Sequence, residues 1–132
     1  MRTAVLSGLA ISTAHLYAEL LLLLRLRSKA EYLAHRLSDD ETAARPQALS
    51  LAASIFERTG KLELALQCYT KASDSCPDEA FYHVEMASIY EKQGDVQNAV
   101  NNYQKALSKG DGFAAQFREK IATKVRDLQD LK

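Results

Sequence analysis

Between Pro46 and Lys109 the apolar positions recur every three or four residues, the spacing of helices that each bury one face. The pattern predicts helices over roughly 46–59, 61–75, 80–93 and 95–109. Pro46 suits the first turn of a helix, where its missing N–H costs nothing. Gly60 and Gly94 stand where the first helix of each pair should end in a left-handed residue. Lys61 and Asp95 open the second helices, and Pro77 and the Gly110-Asp111-Gly112 cluster stop them. After Asp111, a good N-cap, Phe113, Phe117, Ile121, Val125 and Leu128 form one apolar stripe. The other faces carry Arg118, Glu119, Lys120, Lys124, Arg126 and Asp127, so this last segment reads as a helix that closes the open end of a stack.

Ahead of these helices, residues 3–37 hold no proline and only Gly8 as a turn former. Leu6, Leu9, Leu16, Leu20, Leu23 or Leu24, Ala30, Leu33 and Leu37 keep helical spacing. The choice is between one long or gently kinked helix and two helices meeting near Arg25–Lys29. With no turn former at the polar stretch, the pattern favours the single helix. The run Leu20–Leu24 makes it apolar nearly all round, so it should be buried, paired with a partner or in lipid. Glu19 and Arg25 bracket a run shorter than the about 20 apolar residues of a membrane span. The opening MRTAVLSGLAISTA has an early arginine and no acid, as targeting segments do, with the methionine still in place. Ser38-Asp39-Asp40-Glu41-Thr42 supplies cap and turn residues that end this element.

The four central helices are one hairpin written twice. Ala53, Ser54, Ile55, Glu57, Gly60, Ala65, Tyr69, Lys71 and Ala72 recur 34 residues later as Ala87, Ser88, Ile89, Glu91, Gly94, Ala99, Tyr103, Lys105 and Ala106. Phe56 is answered by Tyr90, Leu62 by Val96 and Leu66 by Val100, with no gap. Two helix backbones approach closely only over small side chains, which the paired alanines provide. The aromatic residues fill the space between those contacts.

This small–large pattern at a period of 34 resembles the tetratricopeptide repeat, with units at 46–79 and 80–113. Leu49 and His83 stand where that family often has tryptophan, and Asp111 replaces the second proline. The resemblance implies an all-α solenoid of helical hairpins. As one domain over 1–132, it would comprise an N-terminal leucine-rich segment (1–45), two repeats (46–111) and a capping helix (112–132). Such stacks usually need about three units. The separation of Ala18 and Ala30 matches that of Ala53 and Ala65, which hints at a worn first repeat with Arg25 in place of the turn glycine.

Charge removes one class of partner. Lys+Arg and Asp+Glu each number 17, so the net charge is zero and no global field draws nucleic acid. The apolar fraction of 47% is that of a folded chain. Cys68 and Cys76, eight apart, would lie about 12 Å apart along one helix. A disulfide needs Cα atoms within about 7 Å, and two unpaired thiols fit a reducing compartment such as the cytoplasm. Mitochondrial or membrane association is the alternative. His15, His35 and His83 lack the spacing of a helical metal pair, and Cys68, Cys76 and His83 do not form a zinc pattern. No glycine-rich phosphate loop and no nucleophile–base set is present. No cofactor and no enzyme activity is therefore expected.

The resemblance implies a non-enzymatic interaction module, an adaptor or a subunit of a larger assembly, that binds a partner protein in a groove lined by the first helix of each repeat. Those positions are Gln47, Ser50, Ser54 and Glu57, then Phe81, Val84, Ser88 and Glu91. One subset of the family grips a chaperone's C-terminal carboxylate with Lys, Asn and Arg, the donors such recognition requires. The matching places here carry Ser50, Ser54, Glu85 and Ser88, so no carboxylate clamp is expected. The groove should suit an apolar or basic helix. A second interface is the apolar helix with Leu16, Leu20, Leu23 and Leu24, which would accept a partner helix or a second copy of the chain. The alternative is a membrane-tethered receptor or assembly factor with residues 3–24 as the membrane contact.

Overall fold

A computed structural model describes residues 8–39, 45–109 and 115–131. These form seven helices: α1 (Gly8–Leu23), α2 (Arg27–Ser38), α3 (Arg45–Arg58), α4 (Leu62–Ser75), α5 (Phe81–Lys92), α6 (Val96–Ser108) and α7 (Ala115–Gln129). The fold is all-α, and its central four helices lie within a residue or two of the predicted spans. Asp39 ends α2, but the rest of the turn cluster Asp40–Thr42 lies outside the described residues, as do Gly110-Asp111-Gly112 and Phe113.

Two compact units result, Met1–Ser75 and Cys76–Lys132. In the first, α3 packs against α2 and α4, and α1 packs against α2 and α3. Its core is dominated by alanine: Ala18, Ala30, Ala34, Ala48, Ala52, Ala53, Ala65 and Ala72 are all buried. Leu49, Ile55, Phe56 and Tyr69 are the largest side chains fully buried with them. The His35 ring meets Phe56 edge-on at 5.0 Å, joining α2 to α3. In the second unit, Ala87, Ala99, Val100 and Tyr103 form one core with Ile121, Val125 and Leu128 of α7. Three of the predicted stripe residues on α7 are therefore buried, while Phe117 stays partly exposed. Arg118 of α7 donates to the Leu107 carbonyl at 2.9 Å, capping the end of α6.

The N-terminal segment departs from the favoured single helix. It is a hairpin, broken at Leu24–Leu26. The break has the bond pattern of the two glycine turns. At Gly60, the N–H of Lys61 reaches the Phe56 carbonyl and that of Gly60 reaches Glu57. At Gly94, Asp95 and Gly94 bond to Tyr90 and Glu91 in the same way. At Arg25, Leu26 donates to Leu21 at 2.8 Å and Arg25 to Leu22 at 3.1 Å. All three are Schellman caps, in which one residue in the left-handed region satisfies the last carbonyls of a helix. The φ values are +60° at Arg25, +86° at Gly60 and +77° at Gly94. Among the described residues Arg25 is the one non-glycine with positive φ.

The break also sets a register. Ala18, Leu21, Ala30, Ala34 and Leu37, each 35 residues before Ala53, Phe56, Ala65, Tyr69 and Ala72, are all buried. The α1–α2 hairpin thus buries the positions that the later hairpins bury. Its departures are Arg25 for glycine, Leu21 for the aromatic residue, Ala34 for tyrosine and Leu37 for alanine.

Candidate functional site

Helix α1 is sided by that register. Ala18 and Leu21 turn inward, so the leucines at 16, 20, 23 and 24 turn outward, spaced as one stripe. They are 70%, 48%, 78% and 57% exposed. Tyr17, three residues before Leu20, and Leu26 just beyond the helix are exposed as well and widen the apolar surface. The sequence pattern did not single out these two; the spacing of Tyr17 to Leu20 and Leu24 was the available signal. Glu19 flanks the stripe and is ion-paired with Arg58 of α3, which ties α1 to the unit without touching the leucines.

The four leucines together expose on the order of 500 Å², within the range of the largest apolar patches on monomers, which are often functional. No helix among the described residues is long and apolar enough to cross a membrane. The described part of α1, 16 residues from Gly8, is about 24 Å long.

The eight residues expected to line a groove fall into two groups, one per unit. On α3, Gln47 is exposed and Ser50, Ser54 and Glu57 are half-buried. On α5, Phe81 is exposed and its ring meets Tyr82 edge-on at 6.0 Å, while Ser88 is half-buried. Val84 and Glu91 serve the unit's own packing. Val84 lies against the core shared by α5, α6 and α7. The Glu91 carboxylate accepts from the Tyr103 hydroxyl at 2.5 Å and lies 3.5 Å from the Lys124 ammonium. Burial, and then the Glu91 carboxylate, push the Tyr103 phenol well above its usual range. Glu91 thereby holds α5, α6 and α7 together.

The remaining reactive side chains are quiet. Cys68 and Cys76 are both free; Cys68 is buried, and burial pushes its thiol up to about 11. A thiol so raised is a poor nucleophile near neutral pH. His83 is half-buried, with Nδ1 3.2 Å from Asn102 Oδ1. Burial lowers its pKa, with the Asn102 bond partly opposing the shift. Among the described residues, no three His, Cys, Asp or Glu side chains gather as metal ligands would.

Comparison with known proteins bears on the hairpins. Two family models, each described as tetratricopeptide repeat, match residues 46–79 and 83–131. A comparison with curated proteins found no match. Among solved structures, the type III secretion translocator chaperone SycD of Yersinia enterocolitica superposes with a TM-score of 0.73 at 10% identity. That match covers 94% of this chain and 86% of the other. At such identity the likeness is one of fold.

Proposed function

The chain carries tetratricopeptide repeats, and on that premise we propose that it is a non-enzymatic subunit or adaptor whose partner protein lays an apolar helix along α1. The repeats and the chaperone-like fold support an interaction module in general. The observation that carries the specific reading is the outward stripe of Leu16, Leu20, Leu23 and Leu24.

A folded chain rarely leaves four neighbouring leucines half to three-quarters exposed without a use for them. Covering them would stabilise a complex by roughly 1–2 kcal/mol per leucine at these exposures. That sum is comparable with the lower range of the cost of bringing two proteins together, about 4–15 kcal/mol. The stripe therefore supplies the apolar centre of an interface and needs a rim. Protein interfaces use about 800 Å² per partner, so the remaining third of the contact falls on neighbours such as Tyr17 and Leu26. A helix is the natural partner shape, because leucines at i, i+4, i+7 and i+8 form a ridge that fits a groove on another helix.

The test is a photo-crosslinking residue in place of Leu20, introduced into the chain in its own host, with Lys120 on α7 as the control position. A protein adduct from position 20 that is absent from position 120, and is lost when Leu16 and Leu24 are both changed to glutamate, supports the reading. No adduct from position 20, or the same adducts from both positions, refutes it.

A further inference from the structure

We propose a second binding site on another side of α1: a pocket for a phosphoryl group, built from Arg25, Arg27 and Arg58. A cavity of about 260 Å³ is lined by Leu22, Arg25, Arg27, Arg58 and Thr59, all within the first unit. At about 100° per residue, Leu22 lies roughly 120–160° around α1 from Leu16, Leu20 and Leu24 and about 100° from Leu23, so the pocket opens beside the stripe and shares none of its leucines.

Arg27 and Arg58 are held in place by structural bonds. Arg27 Nη1 donates to the Thr59 carbonyl at 2.7 Å, and Arg58 is ion-paired with Glu19. Each guanidinium has five N–H donors, so one bond leaves the rest of the fork for a ligand. The Arg27 bond also satisfies a carbonyl at the end of α3, and the Schellman bonds satisfy Leu21 and Leu22 at the end of α1. The negative ends of both helices are therefore blunted where an anion would approach.

Structure alone does not account for Arg25. Its turn has two counterparts, and both use glycine, the residue that adopts positive φ without penalty. Arginine there carries a backbone strain that glycine would remove, and strain retained against an easy remedy points to use. What the arginine contributes is a third cationic residue among those that line the pocket.

Charge selects the ligand. Glu19 offsets one of the three positive charges, leaving two. A phosphate monoester carries about −1.5 to −2 near neutral pH, whereas a carboxylate carries one negative charge. Guanidinium forks also match phosphoryl oxygens in bidentate geometry. A cavity of this size is below the range of drug-sized ligand sites, about 300–1,000 Å³, so it admits a phosphoryl group with few further atoms.

Calorimetric titration of the full chain with inorganic phosphate, phosphoserine and acetate at low salt tests this. Phosphate or phosphoserine should bind and acetate should bind far more weakly. Tighter phosphoserine assigns the site to an ester-borne group, and equal affinities assign it to the free oxyanion. Arg25→Gln, which removes the charge without introducing glycine, should weaken binding about tenfold. Arg25→Gly should weaken it as much while raising thermal stability, which separates loss of the site from loss of the fold. Absence of phosphate and phosphoserine binding at millimolar concentration overturns the proposal. So does acetate affinity equal to that of phosphate, or affinity unchanged in both Arg25 variants.

Discussion

Arg25→Gly and Gly60→Ala perturb the same backbone conformation in opposite directions within the same unit. A residue with a β-carbon in the left-handed region costs about 1–2 kcal/mol relative to the right-handed helix. Glycine loses more conformational freedom on folding, which returns roughly 0.4–1 kcal/mol in the other direction. The net for Arg25→Gly is a gain of about 1 kcal/mol, and for Gly60→Ala a loss of similar size. At Gly60 a β-carbon would meet no atom within 4 Å, so its cost is conformational, with no steric part. For a chain of this length 1 kcal/mol moves the melting temperature by about 3–5 °C. Arg25 also loses repulsion from Arg27 and Arg58 when it is removed. Arg25→Ala reads that electrostatic part alone, and the difference between glycine and alanine at position 25 reads the backbone part. Thermal unfolding followed by circular dichroism, with a urea series as a check, measures all three. A lower melting temperature for Arg25→Gly than for Arg25→Ala, or an unchanged one for Gly60→Ala, refutes the account of the turns.

Ala65 and Ala99 are fully buried at the helix crossings, so Ala65→Leu or Ala99→Leu should cost about 1–3 kcal/mol in urea unfolding. Tyr103→Phe removes the donor to the Glu91 carboxylate and should cost about 1.5–3 kcal/mol, with hydrogen exchange rising in α7 as the tie to Lys124 loosens. In the native chain a disulfide reagent near neutral pH should modify Cys68 only after unfolding. Because the Cys68 thiol ionises near 9 when unfolded and about 11 when folded, the unfolded state binds fewer protons between those values. Stability should therefore fall as pH rises through that window, and Cys68→Ser should reduce the fall.

The doubled hairpin was legible because its determinants are local. Small residues at crossings, glycines at left-handed turns and Asp95, whose carboxylate accepts from the Asn98 N–H at 3.2 Å, act within a few residues of themselves. The N-terminal hairpin was only hinted at, because arginine at positive φ is rare and Arg25 in place of a turn glycine weighed against a turn there. The usable signal was the Ala18–Ala30 spacing, and the buried positions at a shift of 35 residues now explain it. Period alone put the leucines on one helix, but which side faced water depended on where Ala18 and Leu21 found cover. Glu91 shows the reverse limit. Its position in the repeat marks it for a groove, yet Tyr103 and Lys124, distant in sequence, draw it into packing.

The order of helix contacts has a kinetic consequence. Within each unit the main packing partners are sequence neighbours: α2 with α3, α3 with α4, α5 with α6, and α6 with α7. Native contacts therefore close short loops, and chains of low contact order fold in microseconds to milliseconds. An alanine-rich crossing forms as soon as its two helices meet, without waiting for distant segments to arrive. During synthesis the α3–α4 hairpin can close before α7 has been made. The packing of α7 on α6 follows, since α7 comes after the other six helices in the chain.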